Sequence, residues 1–246
     1  MAGKHSKRKE SKILWFLILL ILIAVFIYSS FQVYKWVKSN TELKKIEKEI
    51  FSEVVTEEIS EDGTTTKASI NFDELKNINS DIIAWISIDD TTINYPIVQT
   101  NNNDFYLSYD INKKYNTCGN LFLDCNTKSD FSEGNSVIYG HNLRAGGMFA
   151  DLKKICAGDF GTEVYVKIYT PENEFTYQVV ASYLSEQDLY LVKRNFKNNE
   201  KQEYVNKAIQ RSNIKFKTVD DINTNMITLI TCRGQQRTVV NALRID

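Results

Sequence analysis

The sequence predicts a mostly β domain, a small and mainly antiparallel barrel or sandwich with added helices, behind one membrane-spanning helix. Three observations predict it. About eight short runs of β-branched and aromatic residues, with helical stretches between them, follow Ile70. Two of these runs, VYVKIY at Val164–Tyr169 and FTYQVVASY at Phe175–Tyr183, alternate around the turn TPEN, as a hairpin does. Ahead of them all lies an unbroken apolar run, Ile13–Tyr28 (ILWFLILLILIAVFIY).

Composition narrows the classes. A chain of 246 residues suits one ordinary domain with appendages, and 43% hydrophobic residues supply a real core, so wholesale disorder is excluded. With 30 Lys+Arg against 31 Asp+Glu, the net charge of −1 gives no electrostatic case for nucleic acid. The 4 Cys lack the C-x2-C pairing of zinc sites, and 2 His cannot build a His-rich centre, so no metal is expected.

Extended by Ser29–Val33, the apolar run reaches the ~20 residues that cross a bilayer. Lys4, Lys7, Arg8, Lys9 and Lys12 precede it, which keeps residues 1–12 in the cytoplasm and sends the rest outside. Trp15, Tyr28, Tyr34 and Trp36 bracket the span as interfacial aromatics. A cleavable signal peptide shares the basic flank, but its apolar core is shorter, about 7–15 residues, and no A-x-A-like site follows here. A core helix is rarely apolar on all faces. The expected organisation is a tail (1–12), a signal anchor (13–33), a helical stalk with a polar linker (34–69), and an outer domain (70–246).

In the stalk, Leu43, Ile46, Ile50 and Val54 recur at helical spacing among Lys and Glu, whose charges form a solvated face. Glu57–Ser69 (EEISEDGTTTKAS) reads as a linker. INFDELKNIN suits a short helix. AWISI at Ala84–Ile88 and INYPIVQ at Ile93–Gln99 suit strands, with Pro96 marking an edge or bulge. Val137–Tyr139 is a short strand ending at Gly140. EKQEYVNKAIQR at Glu200–Arg211 is helical, and ITLIT (Ile227–Thr231) and TVVNALRI (Thr238–Ile245) are two final strands.

The residues able to do chemistry are few. His141, the one histidine beyond the anchor, follows the strand VIYG directly. Cys232 closes ITLIT, and RGQQ separates it from Arg237. If RGQQ is a hairpin loop, Cys232 and Arg237 are opposed, with Cβ atoms ~4.5–5.5 Å apart. A guanidinium beside a thiol favours the nucleophilic thiolate and offers donors to an oxyanion. With a histidine for proton transfer, these groups make a cysteine acyl-transfer site; a buried, inert cysteine is the plainer alternative. Cys118, Cys125 and Cys156 read as buried or idle thiols. Asp124 has no spaced acidic neighbours to make a metal site.

An anchored, outward-facing domain with VIYGHN in its middle and TLITC near its end, followed by an arginine, resembles the sortases, the cysteine transpeptidases of Gram-positive cell surfaces. INYPIVQ, NNNDFYL, GNLFLDCN and YGHNLRAGGMFADLKK, with a helix before the last two strands, are most similar to class B. The likeness runs from about Phe72 to Ile245.

The resemblance implies a closed eight-stranded β-barrel with an N-terminal helical segment and a helix before the last two strands. It implies Cys232 as nucleophile, His141 as acid and base, and Arg237 as oxyanion or substrate clamp. Thr231, Tyr139 and Asn142 are the expected substrate-binding residues. It implies no cofactor. The expected partners are a sorting-motif peptide of the Asn-Pro-x-Thr-x type and a peptidoglycan amine, with the monomeric enzyme held in the cell membrane. One departure stands out: class B members usually have a longer loop between cysteine and arginine, which makes Arg233 and Arg244 rivals to Arg237. A thiol endopeptidase or amidase using water, a pilus polymerase and an inactive surface-tethered relative are the competing readings.

Overall fold

The computed structural model describes residues 3–59, 66–186, 192–233 and 236–246, with Cys232 and Arg233 described through their backbone. The apolar run and the stalk form one helix, α1 (Gly3–Val54). The chain divides into two compact units, Met1–Glu42 and Leu43–Asp246. In the first, Trp15, Phe26 and Tyr28 are exposed, and α1 is the one helix among the described residues long and apolar enough to cross a membrane.

The second unit begins with the stalk's apolar stripe. Leu43 packs in the core with Tyr95, Met148 and Phe149, while Ile50 and Val54 pack with Leu75, Trp85 and Tyr106. The folded unit therefore starts well before Ile70, because the stripe has a surface to bury against. The segment expected to be a linker is also partly structured. Strand β1 (Val55–Ile59) pairs antiparallel with β2 (Thr66–Ile70), from Val55↔Ile70 to Ile59↔Thr66. The β-branched residues at both ends of this stretch, with Asp62-Gly63 between them, are a hairpin pattern that the charged residues obscure. The turn of that stretch, 60–65, lies outside the described residues.

Helix α2 (Phe72–Ile78) is capped by Asn71, whose side chain accepts from the Glu74 N–H at 3.1 Å. Next come β3 (Ile82–Ile88), β4 (Asn94–Val98), a 3-10 turn at Phe105–Leu107, β5 (Leu121–Leu123) and β6 (Asn135–Gly140). Helix α3 (Leu152–Ala157) leads to the hairpin β7 (Tyr165–Tyr169) and β8 (Glu174–Ser185). Helix α4 (Glu200–Arg211) precedes β9 (Met226–Arg233) and β10 (Gln236–Arg244).

Strands β3 to β10 close into an eight-stranded barrel in the order β10-β8-β7-β3-β4-β5-β6-β9. The pairs β4–β5 and β6–β9 are parallel and the others antiparallel, so the barrel is mixed. Pro96 marks neither an edge nor a bulge, which corrects the expectation: β4 lies between β3 and β5 in the closed barrel, Pro96 pairs with Trp85, and the register shift on that ladder falls between Ile82 and Ala84. The ladder to β5 begins one residue later at Ile97, so on that side the missing N–H removes no bond. Alternate residues of the strands, among them Ile86, Ile138, Ile168, Leu229 and Val240, fill the interior. Outside, Val137, Ile230 and Val239 pack with Ala208 of α4.

Candidate functional site

The parallel pairing of β6 with β9 decides where the chemistry-bearing residues meet. Tyr139 pairs with Ile230 and Gly140 with Thr231, so His141, the first residue past β6, is level with Cys232. On the other side of β9, Cys232 pairs with Arg237 of β10. Three adjacent strands thus carry His141, Cys232 and Arg237 in one row. Gly140 is required at the end of β6, because a Cβ there would lie 2.3 Å from Leu121 Cδ2 and 2.7 Å from Phe149 Cδ2.

His141 is half-buried and held by backbone groups. Its Nε2 lies 2.8 Å from the Leu107 carbonyl. A carbonyl only accepts, so Nε2 carries the hydrogen and Nδ1 is the nitrogen left to exchange protons. Gly119 lets the ring seat there: with φ +59, an added Cβ would stand 2.5 Å from the Tyr106 carbonyl oxygen and 2.9 Å from His141 Cδ2. Behind the ring, the Phe149 N–H donates to the His141 carbonyl at 3.0 Å, and Asn142 bridges to Met148.

The rival arginines separate by position. Arg244 pairs with Tyr177, and its Nε donates to Asp246 Oδ1 at 2.6 Å with the guanidinium 4.1 Å from the Phe175 ring centroid. Seven residues of strand put it roughly 23 Å from Arg237, at the opposite end of the barrel. Arg233 pairs with Gln236. The rest of the expected loop, Gly234 and Gln235, lies outside the described residues.

Of the residues expected to touch substrate, Tyr139 and Asn142 are half-buried beside this row. Tyr139 packs 5.2 Å from Phe122, ring to ring, and its hydroxyl donates to Asp124 Oδ2 at 3.3 Å. Burial, and then the Asp124 charge, push that hydroxyl's pKa upward. Thr231 is 1% exposed and alternates with the interior residue Leu229, so its side chain is withdrawn from a peptide lying outside the barrel. That corrects the expectation for its side chain: β-alternation, not nearness to Cys232, decides which way it faces.

Asp124 is the residue the sequence undervalued. It is buried and satisfied by Arg194 Nη1 at 3.1 Å, Asn103 Nδ2 at 2.9 Å and the Asn126 N–H at 3.0 Å. The Arg194 contact ties the segment before α4 to the barrel next to Tyr139. Among the described residues, no group of three or more His, Cys, Asp or Glu is placed to hold a metal. Cys118, Cys125 and Cys156 are not in disulfides, and burial pushes Cys118 up to about 11.

The comparisons with known proteins agree on one family. The Sortase domain family matches residues 86–245. Sortase B of Listeria monocytogenes is 29% identical over 221 residues, 87% of this chain and 87% of that protein. The crystal structure of Clostridium perfringens sortase B superposes with a TM-score of 0.66 at 34% identity, covering 72% of this chain and 100% of that one. Sortase B of B. anthracis gives a TM-score of 0.70 at 25% identity, over 85% of this chain and 99% of that one.

Proposed function

The chain belongs to the sortase family, as a class B cysteine transpeptidase, and on that premise we propose that Cys232 is its nucleophile, His141 its acid and base, and Arg237 its oxyanion clamp. The observation that supports this is the register across β6, β9 and β10, in which His141 and Arg237 stand level with Cys232 on its two neighbouring strands. The substrate is the C-terminal sorting motif of a surface protein, of the Asn-Pro-x-Thr-x type. The Cys232 thiolate attacks the threonine carbonyl, and Arg237 donates to the oxygen as it becomes negative. Collapse of the tetrahedral intermediate breaks the peptide bond, and His141 gives its Nδ1 proton to the leaving amine. A peptidoglycan amine then attacks the thioester and yields its proton to the same nitrogen, regenerating the thiolate. Tyr139 and Asn142 flank the row and are the side chains proposed to contact the motif.

The helix α1 is proposed as a single-pass anchor over 13–33, with the tail 1–12 inside and the catalytic unit outside. The basic residues on one flank support that orientation. A membrane-impermeant thiol reagent on intact cells tests it: with the four native cysteines replaced by alanine, a Ser6→Cys variant should stay unlabelled and a Ser60→Cys variant should react, and the reverse pattern would reject the topology.

Mass spectrometry tests the chemistry. The full chain in detergent, mixed with Asn-Pro-x-Thr-x peptides, should gain the acyl fragment ending in threonine, and Cys232→Ala should not. Adding an amine should convert hydrolysis product to transfer product. A folded enzyme that forms no adduct with any peptide of the set would reject the proposal for this motif.

A further inference from the structure

The last turns of α1 and the histidine loop are linked by a continuous set of contacts. Glu47 lies on the buried stripe of α1, between Ile46 and Ile50, facing β4 rather than solvent. The Tyr95 hydroxyl, on a side chain only 6% exposed, interacts with the Glu47 carboxyl and with the Met148 backbone, and all three residues line one pocket. Met148 is half of the bridge to Asn142, and the next residue, Phe149, donates to the His141 carbonyl. The backbone at this point is costly to hold at one residue: Met148 has a φ of 48°, after Gly146 and Gly147, which take φ of 84° and 91° without penalty. A Cβ on Gly147 would lie 3.1 Å from Tyr95 Oη and 3.9 Å from Glu47 Oε1, so the loop rests directly on the pair. Glu47, Tyr95 and Met148, with Gly119, line one pocket, and the His141 ring packs against Gly119. Glu47 Oε1 is buried with no partner among the described residues, and burial raises the carboxyl to about 7, with Lys44 the nearby opposing charge. A buried acid on an otherwise apolar stripe is expensive unless it holds something.

We infer that Glu47 and Tyr95 are positioning residues for His141: they fix the turn at Gly147–Met148, which in turn fixes the histidine loop. The inference rests on His141 being the acid and base of the reaction. It makes the stalk's last turns part of the machinery instead of a spacer. Tyr95 interacts with both Glu47 and Met148, so the two side chains do not have equal weight. Losing the tyrosine hydroxyl removes both interactions, and losing the carboxyl removes one.

The full chain in detergent micelles, with 15N-labelled histidine, provides the test. His5 and His141 are the only histidines, so a His5→Gln background leaves one imidazole to observe. Tyr95→Phe should shift the His141 ring nitrogens and lower kcat about tenfold with KM little changed. Glu47→Ala should do the same to a lesser degree, and Glu47→Gln, which still accepts a hydrogen bond, should restore both readouts. Folded Tyr95→Phe and Glu47→Ala chains with wild-type ring signals and wild-type kcat would overturn the inference. So would equal losses in Glu47→Gln and Glu47→Ala. If the wild type forms no thioacyl adduct, the role given to His141 fails instead, and the ring signals still decide the coupling.

Discussion

Strand β10 carries an arginine near each end, and the two ends of the barrel treat them differently. At the far end Arg244 is bound into a closed set of contacts. Its Nε meets Asp246, its guanidinium covers Phe175, and its N–H donates to the Asn225 carbonyl at 2.8 Å. Asp246 also takes the Thr176 N–H at 2.7 Å, and the Ile245 N–H donates to Thr176. At the near end, Arg237 stands level with Cys232 in the row that leads to His141, whose ring rests against Gly119 and whose loop holds Met148 at a φ of 48°. One residue type on one strand is a rivet at one end and, in the proposed mechanism, a reagent at the other. The difference shows that this barrel concentrates satisfied contacts away from the site and tolerates strain beside it.

The comparison can be broken most directly at the arginines. Arg237→Ala should lower kcat by about 10²–10³ while leaving Tm within a degree or two, since an oxyanion donor acts in the transition state alone. Steady-state kinetics beside a thermal melt would reveal it, and an intact kcat would move the clamp to Arg233. Gly119→Ala should be next in size. The added methyl meets the Tyr106 carbonyl and the His141 ring at a positive φ, so a loss of about 1–3 kcal/mol in stability is expected. Activity should fall further than stability explains, which single-turnover acylation would measure.

Glu47 gives a smaller, pH-dependent effect. Its carboxyl is raised from 4.5 to about 7 in the fold, so the unfolded chain releases that proton more readily. Stability is then fully present below about pH 4.5 and is lost as pH rises through 7, by no more than about 2 kcal/mol after solvent screening. Melts at pH 5 and pH 8 should show wild type losing more than Glu47→Gln. Equal losses would mean that the carboxyl is not desolvated. Smallest is Arg244→Ala, whose half-exposed ion pair is worth about 1 kcal/mol or less, with kcat within twofold of wild type. A large kcat loss there would erase the distinction between the two ends.

What the sequence revealed follows the range of the interactions involved. Helix α4 and the β7–β8 hairpin were legible because periodicity and turn chemistry are local. So was the Cys232–Arg237 pairing, which needs only a short loop and antiparallel register. His141 beside Cys232 was not derivable from spacing, because it depends on β6 and β9 pairing in parallel across α3, β7, β8 and α4. The Leu107 carbonyl and Gly119 left no trace, since a backbone acceptor has no letter of its own. Glu47 did leave one: it stands four residues after Leu43 and three before Ile50, on the apolar face, yet among so many stalk charges it passed for a solvated one. The β1–β2 hairpin was missed for a similar reason, its β-branched ends outweighed by the acidic residues between them.

The parallel β6–β9 seam also sets an order of events. His141 is made long before Cys232 as the chain grows, and β9 must come back from beyond α4 to lie against β6. That contact is long-range, so its loop entropy makes it a late step in folding. Until the final hairpin seals the barrel, Cys232 therefore has neither His141 nor Arg237 level with it on a neighbouring strand. On the proposed roles, completion of the fold is what switches the thiol on.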